Sequence, residues 1–396
     1  MSMALSLVAW LSLGLIVAVW LRLAWLSLAL RSERVQRLER PDLEGAPEVT
    51  ALIPTYNEAR DIEDCVRALL AVDYPALRIL VSDDGSQDDT VAKVEALAAQ
   101  APPGKLRVMS TPREDPRREG WRLGKSFALW VATRELESEW LWFVDADVRV
   151  DPDSLWRSLE TCRLDESEGF TCGGRYPNPS PWAEALEVWL YTVLFNYLPL
   201  RRIRDPEDRE ASWLTGQYYL IRRATYEAIG GHESVKTCAM DDLPFGRVAK
   251  RAGHPFTYYP AAKVFTCRNY VSFGETWRNW IRMCVLGSVW IDMHRPQFVT
   301  SVLSLLVLGL LAPLALGWAC YTAAPPLTLW PLVAANALTA LLALTLPASM
   351  GRRVWTAPLY PLWTVASAAL LGEACLRLQG EVMFHDQAVT QDRVRP

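Results

Sequence analysis

Val49-Thr50-Ala51-Leu52-Ile53-Pro54-Thr55-Tyr56-Asn57-Glu58 is the stretch from which the fold of this 396-residue chain is read. Its first five residues make a short apolar strand, Pro54 stops it, and a polar loop follows. Ile62, Val66, Leu69 and Leu70 then fall on one helical face. The unit repeats. Residues 77–81 read as a second strand, with Val91, Val94 and Leu97 marking a second helix. Residues 106–109 form a third strand, a helix begins at Phe127, and residues 141–144 form a fourth strand. Strands alternating with helices of this length predict an α/β fold with a Rossmann-like, mainly parallel sheet. Such sheets bind ligands beyond the carboxyl ends of their strands, so the chemistry is to be sought in the loops.

Those loops are rich in carboxylates. Asp83-Asp84-Gly85-Ser86 follows the second strand and Asp145-Ala146-Asp147 the fourth. Residues i and i+2 of an extended segment point the same way, so Asp145 and Asp147 can face one cation, Mg²⁺ or Mn²⁺, beside a phosphate-bearing ligand. An acidic turn with an Asp helix cap is the plainer reading. Asp83 or Asp84 can accept hydrogen bonds from a base or a ribose, or simply close an Asx-turn. Asp241-Asp242 opens a helix that stops at Gly253, with Pro244 tolerated in its first turn. One of that pair caps the helix; the other can be a general base. Gly216-Gln217 and Gly230-Gly231-His232 flank an internal strand around Tyr218, Tyr219, Leu220 and Ile221. No glycine-rich phosphate loop follows the first strand, and Gly124-Lys125-Ser126 lacks the upstream glycine of a Walker motif.

Hydrophobic residues make up 51% of the chain and gather at both ends. Residues 5–30 carry only one charge, Arg22, and are long enough to cross a bilayer. Arg31, Arg34, Arg37 and Arg40 follow at once, which predicts a cytoplasmic middle by the positive-inside rule. Three more apolar segments, 301–322, 329–348 and 354–376, are expected near the C-terminus, the last interrupted by Pro358, Pro361 and Glu373. Two or three of them span. Aromatic runs around Trp182, Leu186, Trp189, Tyr191, Phe195 and Tyr197, and around Trp277, Trp280, Ile281, Val285 and Trp290, suit the headgroup layer as well as an ordinary core. A formal net charge of −4 with no basic stripe argues against nucleic acid as a partner. The eight cysteines form no Cys-x-x-Cys pair and read as reduced thiols.

In their order, these segments resemble glycosyltransferase family 2, the inverting nucleotide-sugar enzymes of A-type fold. The resemblance covers residues 49–280. It implies that Pro54, Thr55, Tyr56, Asn57 and Glu58 hold the nucleotide, with Asp83 and Asp84 on base and ribose. Lys125, Asp145 and Ala146 would complete the donor site, and Asp145 and Asp147 would bind the metal. On the acceptor side it implies Gly216, Gln217, His232 and Trp280, with Asp242 as base and Asp241 beside it. Pro244 stands where related sequences often carry another acid, and Arg278-Asn279-Trp280 is only a remnant of the motif of processive synthases. Within the family, the membrane segments are most similar to the hopanoid, carotenoid and ceramide type. That resemblance implies transfer of one sugar, by family default from a UDP donor, to a lipid-like hydroxyl. A polyprenyl-phosphate sugar transferase is the near alternative, and a non-catalytic membrane scaffold the distant one. The expected layout is an anchor (1–30), a basic linker (31–47), a cytoplasmic glycosyltransferase domain (48–267), interfacial helices (268–300), membrane helices (301–376) and a polar tail (377–396). The expected location is the inner membrane, with several passes.

Overall fold

The computed structural model describes residues 2–31, 35–254, 256–259, 264–268, 270, 272–288, 295–350, 352–377, 381–384 and 387–390. Arg34 and Trp290 lie outside the described residues, as do the side chains of Arg31, Phe195 and Tyr197. Two compact units result, one built on Ser32–Tyr176 and Pro199–Arg268, the other on Met1–Arg31, Pro177–Leu198 and Asn269–Gln391.

The first unit holds β1 (Val49–Thr55), β2 (Leu77–Asp83), β3 (Leu106–Ser110), β4 (Trp140–Val144), β5 (Val148–Val150), β6 (Gly169–Cys172), β7 (Tyr218–Arg222), β8 (Thr257–Tyr259) and β9 (Phe265–Cys267). Seven of these form one sheet in the order β3-β2-β1-β4-β7-β6-β8. β1 runs parallel to both β2 and β4, β2 to β3, and β6 to β8. Only β7 runs against its neighbours, β4 and β6. Every residue of β1 and β4 is buried, as expected of central strands covered on both faces. Ile62, Cys65, Val66 and Leu69 of the Ile62–Leu70 helix seal one side of the sheet against Val81, Trp142 and Val144.

Three details depart from the sequence reading. β2 continues through Asp83, so that carboxylate belongs to the strand end. The helix expected from Phe127 begins at Gly124 and runs to Thr133; its first turn is Gly-Lys-Ser, which carries no apolar period to announce it. β5 and β9 pair antiparallel in a separate two-stranded sheet, and strands of three residues are too short for alternation to reveal.

In the second unit four helical segments are long and apolar enough to cross a membrane: Met3–Trp25, Phe298–Tyr321, Pro326–Ala348 and Val354–Arg377. Pro358 sits in a 3₁₀ turn, Val354–Leu359, and Pro361 in the first turn of Tyr360–Arg377. In that first turn a missing N–H breaks no helical bond, so neither proline interrupts the interior of the last helix. Glu373 is engaged by Arg377 at 2.6 Å and by the Trp277 indole at 2.9 Å. The Pro181–Tyr197 helix buries Leu186, Trp189 and Leu190 in this unit's core with Phe298, Leu305 and Trp363. Two further strands, β10 (Glu381–Phe384) and β11 (Gln387–Thr390), pair antiparallel within the stretch expected to be a polar tail. All eight cysteines are free.

Candidate active site

The first unit gathers its acidic loops along the carboxyl edge of β1, β2 and β4, as the topology requires. The two adjacent aspartates after β2 have different fates. Asp83 is fully buried and closes its own turn: it accepts from the amides of Gly85 at 3.1 Å and Ser86 at 3.1 Å, and from Thr55 Oγ1 at 3.3 Å. Gly85 has φ +74, the left-handed conformation that this turn demands. Asp84 instead turns its carboxylate toward Arg118, with Arg113 at 3.6 Å. Burial pushes the Asp84 carboxyl up, although Arg118 and Arg113 pull it down. A Cβ on Gly124 would stand 1.9 Å from Asp84 Oδ2, so the start of the Gly124–Thr133 helix is in contact with that acid.

The loop after β1 lies alongside. Asn57, at φ 56, accepts from the Gln87 amide at 2.8 Å, and its own amide donates to Ser86 Oγ at 2.9 Å. Tyr56 is half exposed, with the Arg113 guanidinium 3.8 Å from its ring centroid. Glu58 holds the next helix through its carbonyl, which accepts from Asp61 and Ile62, while its amide donates to Thr90 Oγ1 at 2.8 Å. Burial, and then the charges of Asp147, Asp61 and Asp145, raise its carboxyl to about 7.

Lys125 joins this group to the rest. Its Nζ lies 2.6 Å from Asp145 Oδ1 and 4.0 Å from Asp241 Oδ2. Burial alone would lower the ammonium, but Asp145, Asp241 and Asp242 outweigh it and hold the group above its usual value. Asp145 is itself fixed by its amide, which donates to the Gln217 carbonyl at 3.2 Å. Asp147 is raised to about 6 by burial and then by Asp145, with the Cys267 thiol opposing. One of its carboxylate oxygens is buried without a hydrogen-bond partner. Burial, and then Asp241, also push the Asp145 carboxyl up, against Lys125. An orphaned oxygen and two carboxyls lifted by burial and by neighbouring acids are what a hard divalent cation relieves. Among the described residues no three His, Cys, Asp or Glu side chains group closely enough to hold an ion unaided. The other ligands would have to come from water or a bound phosphate.

Asp242 opens the Asp242–Arg251 helix. One oxygen accepts from the Leu243 amide at 2.8 Å and the other from the Gly216 amide at 3.3 Å. A Cβ at Gly216 would meet Asp242 Oδ2 at 2.9 Å, so glycine permits this approach. Burial, and then Asp241, push Asp242 up to about 6.

A family model, described as glycosyltransferase like family 2, matches residues 46–284. This chain belongs to that family. The rhamnosyltransferase of Mycobacterium tuberculosis that acts on N-acetylglucosaminyl-diphospho-decaprenol is 23% identical over 230 residues, covering 53% of this chain and 73% of its own. The dolichol-phosphate mannosyltransferase of Pyrococcus furiosus is 23% identical over 222 residues, covering 53% and 56%. The chain therefore spans little more than half the length of that second relative. A solved mannosyltransferase, PcManGT of Pyrobaculum calidifontis, is similar over 94% of this chain and 98% of its own, at 20% identity and a TM-score of 0.49.

Two residues expected on the glycosyltransferase's acceptor side are buried, each in the core of its own unit. His232 is 1% exposed, with Nδ1 2.7 Å from the Tyr226 hydroxyl and Nε2 3.0 Å from that of Tyr219. Burial lowers it to about 4. Both nitrogens are occupied and the ring stacks on Phe245, so His232 supports the Asp242 helix from the core. Trp280 is 4% exposed in the core of the second unit, packed on Tyr191, with its indole N–H donated to Glu187 at 3.5 Å. Gln217 is kept near the site: its carbonyl holds Asp145, and its side chain accepts from Tyr176 at 2.9 Å. Sequence reading missed Arg113, Arg118 and Gly124. The arginines come from the charged loop after β3, which the topology brings to the same edge, and that placement is the one signal that would have named them.

Proposed function

We propose that this family 2 glycosyltransferase moves one sugar from a nucleotide-sugar, with UDP as the carrier, onto a hydroxyl of a lipid-like acceptor, with inversion. The observation that carries the reading is the unbroken series Asp84, Gly124-Lys125, Asp145, Asp241-Asp242 and Gly216, linked contact by contact. Such a series offers acceptors for a ribose, a cation for a diphosphate and a base for a hydroxyl in one place. Asp242 removes the acceptor's proton as its oxygen attacks the anomeric carbon. Lys125 lies between the acids of both groups and moves from Asp145 to the donor phosphates when they arrive. Asp145 and Asp147 would hold Mg²⁺ or Mn²⁺, which when bound neutralises the departing nucleoside diphosphate. Tyr56, Asn57 and Asp84 orient the nucleoside, while Asp83 keeps their turn rigid.

Four apolar helices and relatives that act on decaprenol- and dolichol-linked substrates support a membrane lipid as acceptor. With them goes the proposed layout of a membrane anchor, a catalytic domain placed in the cytoplasm by the arginines that follow the first span, and C-terminal spans at the inner membrane. The Pyrococcus relative's name favours a second reading, in which the acceptor is a polyprenyl phosphate. That acceptor is already anionic and needs no base. The test is to give the purified protein a panel of nucleotide-sugars with total membrane lipid and identify the product by mass. A glycosylated lipid hydroxyl is expected. A glycosyl phosphate would establish the second reading, and no product from any donor would refute both.

A further inference from the structure

Residues 209–216 run antiparallel along the whole Asp242–Arg251 helix. Arg209 Nη1 donates to the Lys250 carbonyl at 3.4 Å, and Glu210 pairs with Arg251 at 2.9 and 2.7 Å. Further along, a Cβ at Gly246 would stand 3.1 Å from Leu214 Cβ and 3.4 Å from Ser212 Oγ. The last contact is Gly216 on Asp242. Lys250 fastens this strap. Its side chain is 1% exposed, and its ammonium donates to the carbonyls of Arg202 at 2.7 Å, Ile203 at 2.8 Å and Ala211 at 2.6 Å. Three neutral acceptors for three N–H bonds satisfy the group. A buried charge held without a contacting carboxylate is nonetheless a costly way to join two segments that packing alone could join.

We propose that Lys250 is a positioning residue for catalysis: by fixing residues 202–211 it sets where the Gly216 amide meets Asp242, and so fixes the general base. The inference rests on Asp242 being that base. Asp242 is also faced by Asp241, Lys125 and the Tyr219 hydroxyl. With the ammonium gone, the strap loosens, the Gly216 hydrogen bond lengthens, and the ionised form of Asp242 loses a donor that favours it.

The test compares Lys250→Met, Gly246→Ala and Asp242→Asn in the full-length protein in lipid nanodiscs. UDP, GDP and dTDP with Mn²⁺ are the binding probes, and nucleoside diphosphate release from the matching donor in total membrane lipid measures turnover. Lys250→Met is expected to lower kcat by about tenfold or more while nucleotide affinity is retained, since misplacing a reacting group chiefly affects the chemical step. It should also shift the acid limb of the kcat profile to higher pH and speed amide exchange in 209–216. Gly246→Ala displaces the strap without touching the ammonium and should act the same way to a smaller degree; if Lys250→Met does not fold, this variant alone decides. Unchanged kcat and pH profile, with only a lower melting temperature, would overturn the proposal. Turnover by Asp242→Asn would instead remove the base assignment, so the two failures are distinguishable.

Discussion

The carboxylates proposed to face the donor stand at the ends of β2 and β4, parallel strands buried over nearly their whole length, whereas Asp242 stands on a helix aligned by a strap of irregular chain. The strand ends owe their positions to backbone ladders that resist displacement. The Asp242 helix depends on a few side-chain contacts: Lys250, the Arg251–Glu210 pair and the close approach at Gly246. One architecture suits holding a large, constant ligand such as a nucleoside diphosphate. The other lets the position of the base be set by few residues, which is where members of one family can differ.

The contrast is broken most severely at Asp242. Asp242→Asn should reduce turnover by about 10²–10⁴-fold, because a carboxamide cannot take the proton, yet leave nucleotide binding intact in calorimetric titration. Equal loss of both would mean that the two sides are not separable. Gly124→Ala attacks the donor side. Its Cβ would occupy space held by the Asp84 carboxylate, so nucleotide affinity should weaken by about tenfold, one displaced hydrogen-bonding acid, while kcat at saturating donor changes less. The pH profile gives the smallest contrast. Asp242 is raised to about 6, and only its ionised form accepts a proton, so kcat should be flat above that value. It should fall about tenfold per unit below it, and nucleotide binding should not follow. A limb near the ordinary carboxylate value would point to a different base.

The loops at the ends of β1, β2 and β4 were legible in the sequence, and the strap was not. Residues 49–53, apolar but for Thr50, and 141–144, apolar throughout, are runs of the kind that name central strands whose ends must lie together. From them the placement of Tyr56, Asp84 and Asp145 follows by topology. Nothing comparable marks residues 199–214, where Asp205, Glu207, Asp208 and Glu210 alternate with arginines and carry no period. Nothing in the sequence marks Lys250 as buried, because burial of its ammonium depends on three carbonyls distant in sequence. His232 was equally open for the matching reason. A histidine beside two glycines reads as a ligand contact or as a structural group, and only the arrival of Tyr219 and Tyr226 at its two nitrogens makes it a core group.

The most direct measurement is anomalous scattering from Mn²⁺ in crystals of the full-length protein grown with the tightest-binding nucleoside diphosphate. The account predicts a peak at the Asp147 carboxylate, with the diphosphate against Lys125, the nucleoside at Asp84, and the open side of the same cleft facing Asp242. A nucleotide bound away from Asp84 and Lys125, or one whose diphosphate cannot be reached from Asp242, would contradict it.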